Sequence, residues 1–196
     1  EDVAAMLVRA DPTVRVIAYD HRGHGGSDVG PACIEALADD LAGVVEALVP
    51  MGPIVFGGHS LGGMTVMALA ERHPELVANR AAAAAFVTTS AGDLLGAIRR
   101  FRGVDALLLA ALLLVARVRT PSRPLFLARQ GARRAFGTHP RRHDLNRAVS
   151  QTARAHPGTV ADLGRSILRH SRYDALSAFR DIDVVVLAGT RDKLTS

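Results

Sequence analysis

Apolar residues follow two rhythms along this chain. Val14–Tyr19 (VRVIAY), Ile54–Gly57 (IVFG) and Asp183–Ala188 (DVVVLA) are short, largely β-branched runs. Such runs predict buried strands. Between the first two, Ile34, Leu37, Ala38, Leu41, Val44, Val45 and Leu48 recur at helical spacing, with Asp39, Asp40 and Glu46 on other faces. That spacing predicts an amphipathic helix ending near Pro50. Leu61–His73 predicts a second helix, stopped by Pro74, because proline lacks the N–H and crowds the preceding turn. In Ala81–Ser90 (AAAAAFVTTS) the alanines favour helix and FVTT favours strand. The alternation of elements decides for a strand from about Ala83.

Strand, helix, strand, helix, strand is the signature of the α/β class, a mostly parallel sheet flanked by helices. Open sheets of this kind place their chemistry beyond the carboxyl ends of the strands. From Asp93 to about Arg172 the pattern is mostly helical, with breaks at Pro121, Pro124, Pro140 and Pro157. The expected organisation is therefore a core segment over 1–92, a helical insertion over 93–172, and a return to the core over 173–196.

Charge sharpens this division. The net charge is +5 over 196 residues, but Asp93–Arg172 holds 16 Arg against 4 acids, and the remainder holds 8 basic residues against 15 acids. A basic insertion in an acidic body suits peripheral contact with an anionic membrane or an anionic substrate. A solvated, Arg-rich helical surface is the plainer reading. Nucleic acid is not expected as a partner, because aromatic residues are 4 % and no recognition motif occurs. Hydrophobic residues at 48 % and charged residues at 22 % suit a globular domain with a real core. The single cysteine, Cys33, excludes an intrachain disulfide, and a reducing, cytoplasmic setting is the expectation. The longest apolar run, Ala106–Ala116, falls short of the roughly 20 residues that span a bilayer.

The candidate chemistry lies in Phe56-Gly57-Gly58-His59-Ser60-Leu61-Gly62-Gly63, which contains G-x-S-x-G at Gly58, Ser60 and Gly62. The pattern sits after an apolar strand and before a helix, where its mechanism requires it. A sharp turn there strains the Ser60 backbone and pushes Oγ out of the fold. Gly58 and Gly62 leave room for close approach, and the Leu61 N–H begins a helix whose positive end favours an oxyanion. A phosphate-binding loop fits poorly, since neither Gly-rich run reads G-x-G-x-x-G and no Lys follows Gly62.

Three segments together resemble the α/β-hydrolase family. Val16–Asp28 (VIAYDHRGHGGSD) is similar to the family's fourth strand and following turn. The Ser60 elbow is the second segment. Val185–Asp192 (VVLAGTRD) is similar to the seventh strand and the loop bearing the catalytic acid. The resemblance implies that Ser60 is the acyl nucleophile, that the Leu61 N–H is one oxyanion donor, and that Asp192 orients the catalytic histidine. Asp93 is the rival acid, because some relatives place the acid after the sixth strand. Serine rather than aspartate at position 60 argues against relatives that attack with a carboxylate and favours acyl transfer. No cofactor or metal is implied. His139 and His143 are a poor metal pair, because Pro140 interrupts their helical spacing.

The family order is Ser, acid, His. Only Lys193–Ser196 follow Asp192, so the resemblance places the triad histidine beyond this chain. The eight histidines present lie elsewhere. His59 adjoins the nucleophile and resembles a non-catalytic elbow histidine, and His139, His143, His156 and His170 are expected on solvated surface of the insertion. The family also has three strands before Val14. The loop after the third supplies the second oxyanion donor, and that strand would lie between those at Val14 and Ile54. Its absence predicts a gap or an unusual pairing, and the absence of an eighth strand predicts an exposed edge on Val184–Ala188. This chain alone is expected to turn over esters poorly.

The expected function is hydrolysis of a carboxylic ester or related acyl substrate, a small molecule with lipid-like character. Ala106–Ala116 has leucine on nearly every helical face, which suits an acyl-chain lining as well as a plain cap core. Acyl transfer to another alcohol is an alternative on the same triad, and a non-catalytic ligand-binding protein is another.

Overall fold

A computed structural model describes residues 2–93, 129, 130, 133, 136, 139–190 and 192. The described elements are α1 (Asp2–Ala10), α2 (Ile34–Leu48), β1 (Ile54–His59), α3 (Leu61–Arg72), α4 (Pro74–Arg80) and β2 (Ala81–Val87). After residues 94–128, α5 (Arg142–Ala153), α6 (Pro157–Leu168), a 3-10 turn (Asp174–Phe179) and β3 (Asp183–Leu187) complete them. The strands form one parallel sheet in the order β1-β2-β3. In register, His59 faces Val87, and Val87 faces Leu187. The carboxyl ends of all three strands therefore finish level, which is what a site at that edge requires.

The core lies between the sheet and α2 and α3. Helix α3 buries Gly63 through Ala70 without interruption, so it is enclosed on every face. Its Met64 and Leu69 join Ile34 and Ala38 of α2, Phe56 of β1 and Phe86 of β2. Phe86 meets Phe179 edge-on, with ring centroids 5.3 Å apart, and so ties the returning chain to the sheet. Burying side chains of this size stabilises by about 1.5–3 kcal/mol each, which fixes α3 against β1.

Three expectations change. Val14–Tyr19 is not a buried strand: it has no strand partner among the described residues, and Val14 is exposed. An extended run becomes a strand only where a neighbour offers N–H and C=O groups, and the described sheet places none beside it. Pro74 does not merely end α3. It opens α4 as its first residue, where the missing N–H has no helical partner to lose. Finally, among the described residues β3 pairs with β2 alone, which is the open edge expected of it, but its faces are open too, Val186 at 71 %, so DVVVLA is not a buried strand. Helix α1, which the residue pattern did not announce, also presents Val3, Met6, Leu7 and Val8 to solvent.

Two hydrogen bonds fasten α6 and the residue before it to the first part of the chain. The His156 N–H donates to the Gly23 carbonyl at 2.7 Å, and the Ile34 N–H to Ser166 Oγ at 3.0 Å. The chain leaves the core past Gly92 and returns at Ser171, and these two residues form an antiparallel bridge. The stretch Ala106–Ala116 lies outside the described residues. Among those described, no helix is long and apolar enough to cross a membrane.

Candidate active site

Ser60 stands between the last residue of β1 and the first of α3, with φ 50° and ψ −116°. A left-handed φ strains any residue with a Cβ, by about 1–3 kcal/mol. Serine at a helix N-cap ordinarily turns its Oγ back to accept an N–H of the first turn. Here it makes no such bond. The Ser60 carbonyl takes the cap role instead, accepting the N–H groups of Gly63 at 3.0 Å and Met64 at 3.2 Å. The side chain is thus half-buried and released from capping.

The turn is tight because the chain crosses itself closely. A Cβ on Gly58 would lie 2.3 Å from the Gly62 carbonyl carbon and 2.3 Å from the Gly63 nitrogen. A Cβ on Gly63 would lie 2.6 Å from Thr89 Cγ2. A Cβ on Gly62 would meet nothing within 4 Å. The close approach expected at Gly58 and Gly62 therefore falls on Gly58 and Gly63. Leu61, the first residue of α3, has its N–H outside the helical ladder and beside Ser60, at the positive end of the helix.

The end of β2 braces this turn. The Ser60 N–H donates to the Val87 carbonyl at 2.9 Å, and Thr89 Oγ1 donates to the Ser60 carbonyl at 2.7 Å. Thr88, itself at φ 47°, donates its N–H to the Leu187 carbonyl at 2.7 Å. The chain ends of β1, β2 and β3 are thus hydrogen-bonded to one another in series. With strands about 4.8 Å apart, β1 and β3 end about 10 Å from each other. Asp192 follows β3 in a turn closed by its N–H on the Gly189 carbonyl at 2.9 Å, and it is half-buried. Asp93, the rival acid, is exposed beyond the Gly92–Ser171 bridge at φ 50°.

The Val16–Asp28 segment is held by bonds within itself and to α2. The Asp20 carboxylate accepts the Gly26 N–H at 2.9 Å, and Ser27 Oγ donates to the Asp20 carbonyl at 2.6 Å. Arg22 reaches Asp40 through two bonds, at 2.7 and 2.6 Å. His59 is exposed at the end of β1. Among the described residues, no three His, Cys, Asp or Glu side chains converge as a metal site.

Two residues expected on solvated surface are in the interior. His170 is 5 % exposed and Arg172 7 %. Arg172 donates to Glu71 of α3 at 2.7 Å, to Glu35 of α2, and to His170 Nδ1 at 2.7 Å. The other ring nitrogen of His170 lies 2.9 Å from the Ser90 carbonyl. Burial lowers the His170 pKa below its ordinary value, and the Arg172 charge adds to this against the opposing Ser90 hydrogen bond. Sequence reading missed this cluster because its members come from four separate segments, and nothing local marks Arg172 apart from the other arginines. Thr89 was missed for the same reason.

A family model described as alpha/beta hydrolase fold matches residues 6–196. The chain is 38 % identical over 74 residues to a 2-(acetamidomethylene)succinate hydrolase of Mesorhizobium japonicum, covering 37 % of this chain and 26 % of that protein. It is 44 % identical over 64 residues to an sn-1-specific diacylglycerol lipase of Mus musculus, covering 32 % of this chain and 20 % of that protein. Among solved structures, a thermophilic esterase from Thermogutta terrifontis superposes with a TM-score of 0.58 at 26 % identity, covering 90 % of this chain and 61 % of that one. The matched stretches thus span about a quarter or less of these curated relatives and under two thirds of the esterase.

Proposed function

The chain belongs to the alpha/beta hydrolase fold family, and from that premise we propose that Ser60 is the acyl nucleophile of a serine hydrolase acting on a carboxylic ester or a related acyl compound. The observation that carries the reading is the Ser60 backbone at φ 50°, with its hydroxyl withdrawn from helix capping. A left-handed serine set between a strand end and a helix start, with its hydroxyl released from capping, is the arrangement that presents a nucleophile.

In the proposed reaction Ser60 Oγ attacks the carbonyl carbon. A histidine takes the hydroxyl proton, and Asp192 holds that imidazole in its productive tautomer. The Leu61 N–H stabilises the oxyanion as the tetrahedral intermediate forms. The intermediate expels the alcohol with the proton from histidine, and water then clears the acyl-enzyme by the same steps.

Ester hydrolysis by the protein expressed from its complete reading frame tests the proposal. Ser60→Ala is expected to remove activity by about 10⁴-fold or more, and Asp192→Asn by roughly 10⁴-fold. Full turnover by Ser60→Ala would end the reading. Asp192→Asn at wild-type rate with Asp93→Asn inactive would transfer the acid role to Asp93.

A further inference from the structure

The segment that follows β2 is gripped from both sides. Toward the elbow, Val87 accepts the Ser60 N–H and Thr89 donates to the Ser60 carbonyl. Toward the returning chain, the Ser90 carbonyl lies 2.9 Å from His170 Nε2, and the Ala91 carbonyl accepts the Arg172 N–H at 2.6 Å. Gly92 pairs with Ser171, and a Cβ there would come 2.8 Å from the Tyr173 ring. Five residues thus join the candidate nucleophile to the point where the insertion re-enters the core.

The histidine in this joint has one workable protonation state. Arg172 carries only donors, so the nitrogen it reaches, Nδ1, must accept. The proton of the neutral ring is then on Nε2, where it is donated to the Ser90 carbonyl. A second proton on Nδ1 would remove the acceptor, break the Arg172 bond, and set two positive groups against each other. The charged groups around the ring are Arg172 on its own segment, Glu35 from α2 and Glu71 from α3. Both carboxylates are already bonded to Arg172 and are partly exposed, Glu35 at 41 % and Glu71 at 51 %. They hold Arg172 rather than offering a bond to a protonated ring.

We propose that His170 is a positioning residue for Ser60: in its neutral form it clamps residues 88–92 between Arg172 and the nucleophile turn, and its protonation releases that clamp and misaligns the turn. The inference rests on the assignment of Ser60 as nucleophile and adds a proton-sensitive control to it. The linkage has a definite sign. Burial lowers the pKa of His170 in the folded protein below its ordinary value of 6.5. Its stabilising contribution is therefore complete above that value and is lost as pH falls through the lower, folded value.

The test uses the protein expressed from its complete reading frame. Two readouts are followed from about pH 8 to about pH 5: the rate at which a fluorophosphonate labels Ser60, and the thermal midpoint. His170→Gln keeps an acceptor for Arg172 and a donor for Ser90 but does not titrate. It is expected to label within about threefold of wild type at the upper pH, with an acid limb one proton less steep and a flatter fall in thermal midpoint. His170→Ala is expected to label about tenfold more slowly throughout, because a misplaced nucleophile loses its near-attack geometry. An acid limb and a midpoint profile of His170→Gln that both superpose on wild type would overturn the proposal, whether or not His170→Ala folds. A wild-type protein that takes no label, or a Ser60→Ala protein that still takes it, would overturn the nucleophile assignment and the proposal with it. The midpoint profile would separately report whether the clamp titrates.

Discussion

Replacing Gly58 by alanine tests whether the crossing of β1 and α3 makes the turn at Ser60. The added Cβ would sit 2.3 Å from the Gly62 carbonyl carbon, 2.3 Å from the Gly63 nitrogen and 2.5 Å from the Gly62 carbonyl oxygen. All three are backbone atoms, so no side chain can rotate away. Restoring ordinary separations of about 3.5 Å would move the start of α3 by more than an ångström. Overpacking of this kind costs about 1–3 kcal/mol, and a rigid backbone neighbour puts Gly58→Ala at the upper end. For a domain of this size the thermal midpoint should fall by about 6–12 °C. Gly62→Ala is the control, because its Cβ meets nothing within 4 Å. Alanine is the better helix former, by up to about 1 kcal/mol, so Gly62→Ala should leave the midpoint unchanged or raise it by up to about 4 °C. Differential scanning calorimetry on the two variants decides. Equal midpoints for Gly58→Ala and wild type, or equal losses for both variants, would refute the geometric account of the turn.

Ser60→Gly should remove esterase activity while raising the thermal midpoint, since glycine relieves about 1–3 kcal/mol of left-handed strain; a lower midpoint in a melting curve would argue against strain at this residue. Thr89→Val keeps the shape but removes the bond to the Ser60 carbonyl. It should cost about 0.5–1.5 kcal/mol of stability in a denaturant titration and slow acylation, and no change in either would show that Thr89 does not brace the elbow. Activity across acyl chain lengths should rise with chain length if Ala106–Ala116 lines the acyl pocket; a preference for acetyl esters would oppose that role.

The parts of this fold that could be read from the chain are those set by local rules. The α2 spacing, the β1 run and the strand-turn-helix frame of G-x-S-x-G each depend on neighbours within a few residues, and each appears where its pattern puts it. The strand over Ala81–Val87 was legible only from the alternation of its neighbours, because alanine has no strand preference of its own. Val14–Tyr19 shows the reverse: its residues suit a strand, but pairing depends on what lies alongside. The same holds for Asp183–Leu187, whose valines suggested burial that no described neighbour supplies. At the site, the sequence pointed to Ser60, Leu61, Gly58, Gly62 and Asp192, since a motif and a strand end mark them, but the second close approach is at Gly63 rather than Gly62. Thr89, His170 and Arg172 are held by contacts across 29, 80 and up to 137 residues of chain, and such contacts leave no short-range pattern.

The most direct measurement is to map the site of covalent modification on the protein expressed from its complete reading frame. After reaction with a fluorophosphonate, digestion and peptide mass spectrometry should find a single adduct on Ser60, absent from the Ser60→Ala protein. An unmodified Ser60 in an enzyme that still cleaves esters, or an adduct on another residue, would contradict the claim that this strained turn presents the nucleophile.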